Sequence, residues 1–105
     1  MSKIKNKLIF GTANLGVRYG INASNISKNS SLKKIFLLLK KEKIFFIDTA
    51  YNYKNAQKYL RKQHIKKFKV ISKIPKFKKE NLNILEEKVI NHVEQSLKKL
   101  NISKF

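Results

Sequence analysis

The sequence predicts an α/β fold in which three parallel strands alternate with three helices. Apolar runs at residues 7–10, 44–47 and 68–74 are typical of strands, and each is followed by a segment that ends in a helical pattern. Strands that alternate with helices favour parallel pairing with right-handed crossovers. With 105 residues the chain is long enough for one small domain, residues 1–105, and too short for two.

The helices are predicted from apolar residues that recur three and four positions apart. The first follows an N-cap at Ser30 or Ser31, and its buried stripe is Leu32, Ile35, Phe36 and Leu39. A short second helix is predicted at 55–63, where Asn55 could be the cap. The third is predicted at about 80–100, and its apolar face is Leu82, Leu85, Val89, Val93, Leu97 and Leu100.

The second predicted strand, residues 44–47, runs directly into polar residues. Its four side chains are all β-branched or aromatic, which is typical of a strand covered on both faces of a parallel sheet. Asp48 follows at the carboxyl end of the strand, where α/β folds build their active sites. An Asp in this position also commonly caps the next turn, so on this stretch alone both interpretations stay open. Lys73 lies in the same position on the third strand.

The loop after the first strand contains every glycine of the protein, namely Gly11, Gly16 and Gly20. Either the loop is a plain tight turn, or its backbone needs unusual dihedral angles or close approach to a flat or phosphorylated ligand. The spacing fits neither a dinucleotide fingerprint nor a P-loop, so the glycines do not decide between these interpretations.

The protein is strongly basic, with 25 Lys and Arg against 6 Asp and Glu and a formal net charge of +19. Such a balance raises nucleic acid as a partner. Arg18 and Arg61 are the only arginines, although bidentate recognition of phosphates and bases favours Arg. The lysines accompany abundant Asn, Ile and Phe, whose codons are rich in A and T. We therefore expect base composition to explain the charge, and nucleic-acid binding is the alternative.

The sequence has no Cys, which excludes a disulfide scaffold and any thiolate metal site. His64 and His92 have no companion at metal-ligand spacing, so no metal is expected. The apolar run before Gly11 is too short for a signal peptide, and no later run approaches the length of a membrane span. The sequence predicts a cytoplasmic protein with no membrane partner.

Four motifs, in order, resemble the aldo-keto reductases, and the resemblance covers essentially the whole chain. They are the loop Gly11-Thr12-Ala13 with Leu15-Gly16 and Tyr19-Gly20, the Asp-Thr-Ala-x-x-Tyr signature at 48–53, the lysine strand Ser72-Lys73-Ile74, and the helix ending in Ser-Leu-x-x-Leu at 96–100. The resemblance implies a partial TIM barrel, the first three β/α units of a (β/α)₈ fold.

The resemblance implies reduction of small carbonyl compounds to alcohols, with NADPH or NADH as cofactor. Tyr53 would be the proton donor, Lys73 its partner, and Asp48 the carboxylate that pairs with Lys73. The residues implied at the cofactor are Gly11, Thr12, Ala13 and Asp48. These residue types suit the chemistry, because hydride delivery to a carbonyl leaves an alkoxide-like oxygen that needs a proton. An ammonium beside a phenol stabilises the phenolate that remains.

The chain departs from the family's pattern at three places. Lys54 and Gln57 stand where the family has Gly and Glu, and residues 101–105 fall where its fourth strand should begin. That strand carries the histidine of the catalytic tetrad, and such a barrel typically needs about 250 residues. We therefore expect the chain to be inactive alone. Three accounts stay open: a truncated or decaying gene product, half of a split reductase completed by a C-terminal chain, and a fragment reused as a basic polyanion-binding module.

Overall fold

The computed structural model describes residues 7–15, 29–53 and 55–105. One parallel sheet has the strand order β1 (Ile9–Gly11), β2 (Phe46–Asp48) and β3 (Lys69–Ile71). The helices are α1 (Asn29–Lys41), α2 (Ala56–Arg61) and α3 (Leu82–Leu100), and a 3₁₀ helix at Ile65–Lys67 precedes β3. The predicted alternation of three parallel strands with three helices is confirmed.

The register of the strands defines two faces of the sheet. Phe10, Ile47 and Val70 are partners across the three strands, and we call their side the covered face because the helices pack on it. Side chains alternate along a strand, so the flanking rows point the other way. This second side is the open face, and its rows are Ile9, Phe46 and Lys69, then Gly11, Asp48 and Ile71.

An aromatic chain joins the covered face to α1. Phe36 of α1 packs edge-to-face against Phe10, with ring centroids 5.7 Å apart, and against Phe68, at 5.4 Å. Phe45 continues the chain at 5.6 Å from Phe68. Edge-to-face pairs match the quadrupoles of the rings and add to the free energy gained by burying them. The core therefore lies between the sheet and the helices.

The prediction that the second strand is covered on both faces is wrong for the described residues. Ile47 is fully buried, whereas Phe46 and Asp48 are only half-buried and Ile71 beside them is 43% exposed. The run is apolar for another reason. Ile44 and Phe45 pack against the edge of the core, and Phe46 lies on the open face with the Lys69 ammonium 5.4 Å from its ring centroid.

The observed ends of α1 and α2 differ from the predicted ones. The α1 helix already includes Ser30 and Ser31, so neither is its N-cap. Asn55 occupies the N-cap position of α2 but its side chain makes no capping hydrogen bond, and α2 ends at Arg61 rather than residue 63. A helix of six residues is too short to be stable by itself. Packing against the core therefore fixes its ends.

The start of α3 is capped by Asn81, whose side chain accepts a hydrogen bond from the Asn83 N–H at 2.9 Å. Glu80 lies before the helix and forms an ion pair with Lys88, with 2.6 Å between nitrogen and oxygen. Leu82 is 82% exposed, so its predicted place on the apolar face is wrong. The side chain of Leu82, in the first turn of α3, is not packed in the core. Leu100, at the other end of the helix, is buried there.

No helix in the described ranges is long and apolar enough to cross a membrane.

Candidate active site

Hydrogen bonding between the strands continues past β2 and β3 at the carboxyl end of the sheet. The Thr49 N–H donates to the Ile71 carbonyl at 2.8 Å. The Tyr51 N–H donates to the Lys73 carbonyl at 2.9 Å. These bonds hold the backbone of Lys73 against the segment that follows Asp48, although more than twenty residues separate them in sequence.

The side chain of Lys73 contacts the other two residues that the resemblance implies in catalysis, Asp48 and Tyr53. Its ammonium lies 2.8 Å from Asp48 Oδ1 and donates to Tyr53 Oη at 3.4 Å. A third contact goes to the Thr49 carbonyl at 3.2 Å. An ammonium has three N–H donors, so these acceptors match its full capacity. The structure thus places Asp48, Tyr53 and Lys73 in one cluster, and their catalytic roles stay predictions.

The Asp48 carboxylate favours the charged form of Lys73. Its hydrogen bond raises the pKa of Lys73 above the ordinary 10.5, desolvation opposes this increase, and the Tyr53 hydrogen bond adds a smaller one. Lys73 is a cation throughout the neutral range, as a lysine with an ordinary pKa also is. The side chains are 52% exposed for Lys73 and 34% for Asp48, so water screens the pair. Its value is positional rather than stabilising.

The phenol of Tyr53 is oriented by the bond from Lys73. Because Lys73 donates to the phenol oxygen, the hydroxyl proton of Tyr53 points elsewhere and stays available for another acceptor. The backbone holds the residue in a tight turn, in which the Tyr53 N–H donates to the Ala50 carbonyl at 3.1 Å and the Ala56 N–H donates to the Tyr53 carbonyl at 2.7 Å. The arrangement can deliver a proton and stabilise the oxygen left behind.

The second phenol of the signature, Tyr51, has a different environment. Its hydroxyl donates to Gln95 Oε1 on α3 at 3.3 Å, and the Lys99 ammonium lies 5.0 Å from its ring centroid. The His92 ring packs against it at 4.6 Å. Tyr51 therefore fastens the β2–α2 loop to α3, and Tyr53 is the phenol that faces the cluster.

The three residues expected at the cofactor from the first loop differ in accessibility. Thr12 is fully buried, and both its N–H and its hydroxyl donate to the Asp48 carbonyl at 3.0 Å. Its side chain therefore fixes the end of β2 and is not presented to a ligand. Ala13 is exposed.

Gly11 lies beside Asp48 in the register, on the open face. An added Cβ there meets no atom within 4 Å, and its φ is outside the left-handed region. The need for unusual dihedral angles is therefore wrong for Gly11, and the close approach of a ligand to its backbone stays a prediction. The missing side chain instead leaves space open beside the carboxylate. Gly16 and Gly20 lie outside the described residues.

Neither histidine belongs to the cluster. His92 is on α3, where its Nδ1 lies 2.7 Å from the Lys88 carbonyl and its ring packs against Phe77 at 5.0 Å. His64 precedes the 3₁₀ helix, at the opposite end of the sheet from Asp48. Within the described ranges, no group of three or more His, Cys, Asp or Glu is placed to hold a metal ion.

Gln57 and Ser96 form a buried polar pair that the sequence did not predict. Ser96 also lines a small cavity that touches Lys73. Both residues are 4% exposed, and Gln57 Nε2 donates to Ser96 Oγ at 3.1 Å, which ties α2 to α3. Gln57 appeared in the sequence only as a departure from the family's pattern. The sequence contained one signal for this pair: Gln57 is a polar residue next to Ala56, on a helix whose inner side is otherwise apolar.

A small cavity adjoins the cluster at Lys73. A cavity of about 100 Å³ touches Lys73 and is lined also by Ser72, Ile74, Val93, Ser96 and Phe105. Ligand pockets usually measure about 300–1,000 Å³, so this cavity alone is too small for a substrate with a cofactor. Asp48 lies instead on the open face.

Comparison with solved structures identifies the fold. The crystal structure of PA4992 from Pseudomonas aeruginosa, a protein assigned as an aldo-keto reductase, matches with a TM-score of 0.71 and 22% sequence identity. The match covers 90% of this chain and 38% of that one. No family model and no curated protein matches the chain. The predicted resemblance to aldo-keto reductases is confirmed at the level of fold: the chain folds as part of a TIM barrel and spans 38% of its structural neighbour.

Proposed function

We propose that this chain supplies the Asp48, Tyr53 and Lys73 portion of the site of a cytoplasmic, NAD(P)H-dependent aldo-keto reductase that reduces small carbonyl compounds to alcohols. One observation carries the proposal. A single ammonium, that of Lys73, contacts both the carboxylate and the phenol, at 2.8 Å and 3.4 Å, at the carboxyl end of a parallel sheet. That end is where TIM-barrel enzymes build their sites.

The three side chains have distinct roles in this proposal. Tyr53 protonates the carbonyl oxygen of the substrate, and its proton is free to do so because Lys73 occupies another position on the phenol oxygen. Lys73 stabilises the phenolate that forms. Asp48 fixes the position of the Lys73 ammonium through the 2.8 Å contact. Proton donation of this kind typically contributes about 10²–10⁴-fold in rate.

The residues present fit one side of a nicotinamide cofactor, which when bound would supply the hydride. Gly11 leaves open the space beside the Asp48 carboxylate, so Gly11, Ala13 and Asp48 would line the ring. Thr12 would act through the Asp48 carbonyl, since its side chain is buried.

The proposal requires further β/α units, either in the same polypeptide or in a second chain. On the open face Asp48 lies between Gly11 and the exposed Ile71, and Ile9 is also exposed on that face. A site open to water loses the low-dielectric surroundings on which proton and hydride transfer depend. We therefore expect no carbonyl reduction from the 105-residue chain alone.

The test is a hybrid barrel in which this chain replaces the matched 38% of the Pseudomonas aeruginosa protein. With NADPH and an aldehyde, the hybrid is expected to turn over and the isolated chain is not. Tyr53→Phe in the hybrid should lower kcat by about 10²-fold or more, because it removes the proton donor. The matched control is Tyr51→Phe, which removes a phenol bonded to Gln95 and should retain most of kcat.

Circular dichroism verifies that each hybrid is folded before rates are compared. Equal rates for the Tyr53→Phe and Tyr51→Phe hybrids would contradict the assignment of Tyr53. Turnover by the isolated chain would contradict the need for further β/α units.

A further inference from the structure

Ten of the 25 Lys and Arg residues of the protein lie in three short segments at one end of the sheet. The segments that enter β2 and β3, and the end of α3, meet at the amino ends of the strands; they are residues 40–43, 61–67 and 98–104, and we call them the basic rim. Arg61 Nη1 donates to the Lys98 carbonyl at 2.6 Å, which fastens two of these segments together. The rim is the opposite end of the sheet from Asp48 and Lys73.

The basic rim contains ten exposed cations and one carboxylate, that of Glu42. The cations are Lys40, Lys41, Lys43, Arg61, Lys62, Lys66, Lys67, Lys98, Lys99 and Lys104. Ten positive charges and one negative charge give a net charge of +9. The other five acidic residues of the protein lie outside the rim: Asp48, Glu80, Glu86, Glu87 and Glu94.

Two grooves lie on either side of the 3₁₀ helix in this rim. One, of about 400 Å³, is lined by Lys33, Lys40 and Lys62 together with His64 and Gln63. The other, of about 450 Å³, is lined by Lys66, Lys98, Lys104, Asn101 and Ser103. The apolar parts of both grooves come from Phe36, Leu37, Phe68, Leu97 and Ile102. Each groove therefore presents three ammonium groups and no carboxylate.

Neither of two simpler explanations accounts for the pattern. Cations in the last turn of a helix favour its negative end, and this covers pairs such as Lys40 and Lys41 or Lys98 and Lys99. It does not cover Lys43, Lys62 and Lys104, which follow the helices, and Lys66 and Lys67 end only the three-residue 3₁₀ helix. An A+T-rich gene explains many lysines, but it does not explain why ten of the 25 Lys and Arg residues lie within these 18 residues.

We propose that the basic rim binds the phosphate backbone of double-stranded nucleic acid without reading base sequence. Like charges this close destabilise the folded chain unless a polyanion neutralises them. Lysine acts as a point charge towards phosphate, whereas base reading favours the guanidinium fork. The single Arg of the rim, Arg61, already donates to a backbone carbonyl.

The rim fits nucleic acid better than a lipid surface. Membrane-binding surfaces combine cations with apolar or aromatic side chains that insert between the lipids. Among the large apolar side chains of the rim, Ile65 and Leu100 are 1% exposed and Ile102 is half-buried. This inference does not depend on the proposed reductase function, because the rim and the Asp48 cluster share no residue.

The test measures binding of the 105-residue protein to a labelled DNA duplex by fluorescence anisotropy. Between about 50 and about 200 mM salt, affinity is expected to fall about 10²-fold or more, as counterion release predicts for several phosphate contacts. Two duplexes of unrelated sequence should bind within about threefold of each other, because only phosphates are contacted.

Two triple variants with the same change in charge separate the rim from net charge. Lys66, Lys98 and Lys104 are replaced by Glu in one; in the control, Lys76, Lys78 and Lys79, which are exposed in the β3–α3 connection, are replaced by Glu. The rim variant should lose at least about tenfold in affinity and reduce the salt slope by about 3, whereas the control should change affinity by less than about threefold. Corresponding Gln variants, with folding verified by circular dichroism, guard against unfolding.

Equal losses in the two triple variants would overturn the proposal, since net charge alone would explain them. A strong preference between the two duplexes would overturn the backbone-only mode. Rim-dependent binding to vesicles of phosphatidylcholine and phosphatidylserine, with no binding to duplex, would assign the rim to a lipid surface instead.

Discussion

The covered and open faces of the sheet are built from the same three strands and differ in what lies against them. On the covered face Ile47 and Val70 are 0% and 4% exposed beneath the helices. On the open face Ile9 and Ile71 are 52% and 43% exposed, and Asp48 lies between their strands. The covered face is packed into the hydrophobic core. The candidate site lies on the face that the described residues leave without a second layer.

The difference separates stability from chemistry in this molecule. Helix packing on the covered face supplies the burial that holds the strands in register. The strands in turn hold the carboxylate of Asp48 on the open face at the carboxyl end of the sheet, where Lys73 contacts it. Changes to the covered face should therefore alter stability most. Changes to the Asp48 cluster should alter the site while stability changes little.

The largest expected effect compares one Ile from each face. Ile47→Ala should lower the free energy of unfolding by about 3 kcal/mol, because it leaves a cavity in a fully buried position. Ile71→Ala removes a side chain that is 43% exposed and should cost less than about 1 kcal/mol. Urea unfolding followed by circular dichroism measures both.

Protein concentration is the control for this pair of variants. Self-association through the apolar open face would bury Ile71 and make its cost depend on concentration. Similar, concentration-independent losses for Ile47→Ala and Ile71→Ala would contradict the difference between the two faces.

A smaller effect is expected at the polar pair within the helix layer of the covered face. Ser96→Ala leaves Gln57 Nε2 buried without its partner and should cost about 1–2 kcal/mol of unfolding free energy. Replacing Gln57 by Leu in the same chain removes the unpaired group, so the double variant should regain most of that loss. Strictly additive losses in the double-mutant cycle would show that the two side chains do not depend on each other.

The sequence carried the order of the elements but not the difference between the faces. Apolar runs separated by helical patterns were enough to predict parallel strands. Because both faces of β2 carry apolar side chains, Phe46 and Ile47 look equivalent in the sequence, and only the placement of the helices distinguishes them. The burial of the Thr12 side chain accompanies its hydrogen bond to the Asp48 carbonyl, and the sequence pattern did not predict it either.

The site cluster could be predicted only in part, and through the order of the motifs. Asp48 and Lys73 were expected together because two strand ends meet at one edge of a parallel sheet, whereas the resemblance alone implied Tyr53 beside them. The helix starts were less predictable, since Asn81 caps α3 while Ser30 and Ser31 do not cap α1. Several local residue types can cap a helix, and packing decides which is used. The ten cations of the basic rim come from three segments that are distant in sequence. Their proximity depends on the fold, which the sequence pattern does not report.

The Lys73 ion pair should have a pH dependence of a definite sign. Its pKa is raised in the folded chain above the ordinary 10.5, mainly by Asp48. Any stabilisation from this group is therefore fully present below pH 10.5 and is lost as pH rises through the folded pKa. Because both side chains are well exposed, the change in stability should be small. The titration of the amine itself is the sharper readout.

The most direct test of the proposed cluster is an NMR titration of the Lys73 side-chain amine. In the native chain its pKa should lie above the ordinary 10.5, and Asp48→Asn should bring it down towards that value. Tyr53→Phe should lower it less, because the phenol is the weaker cause. A Lys73 pKa that is not raised above 10.5 and is unchanged by Asp48→Asn would contradict the cluster.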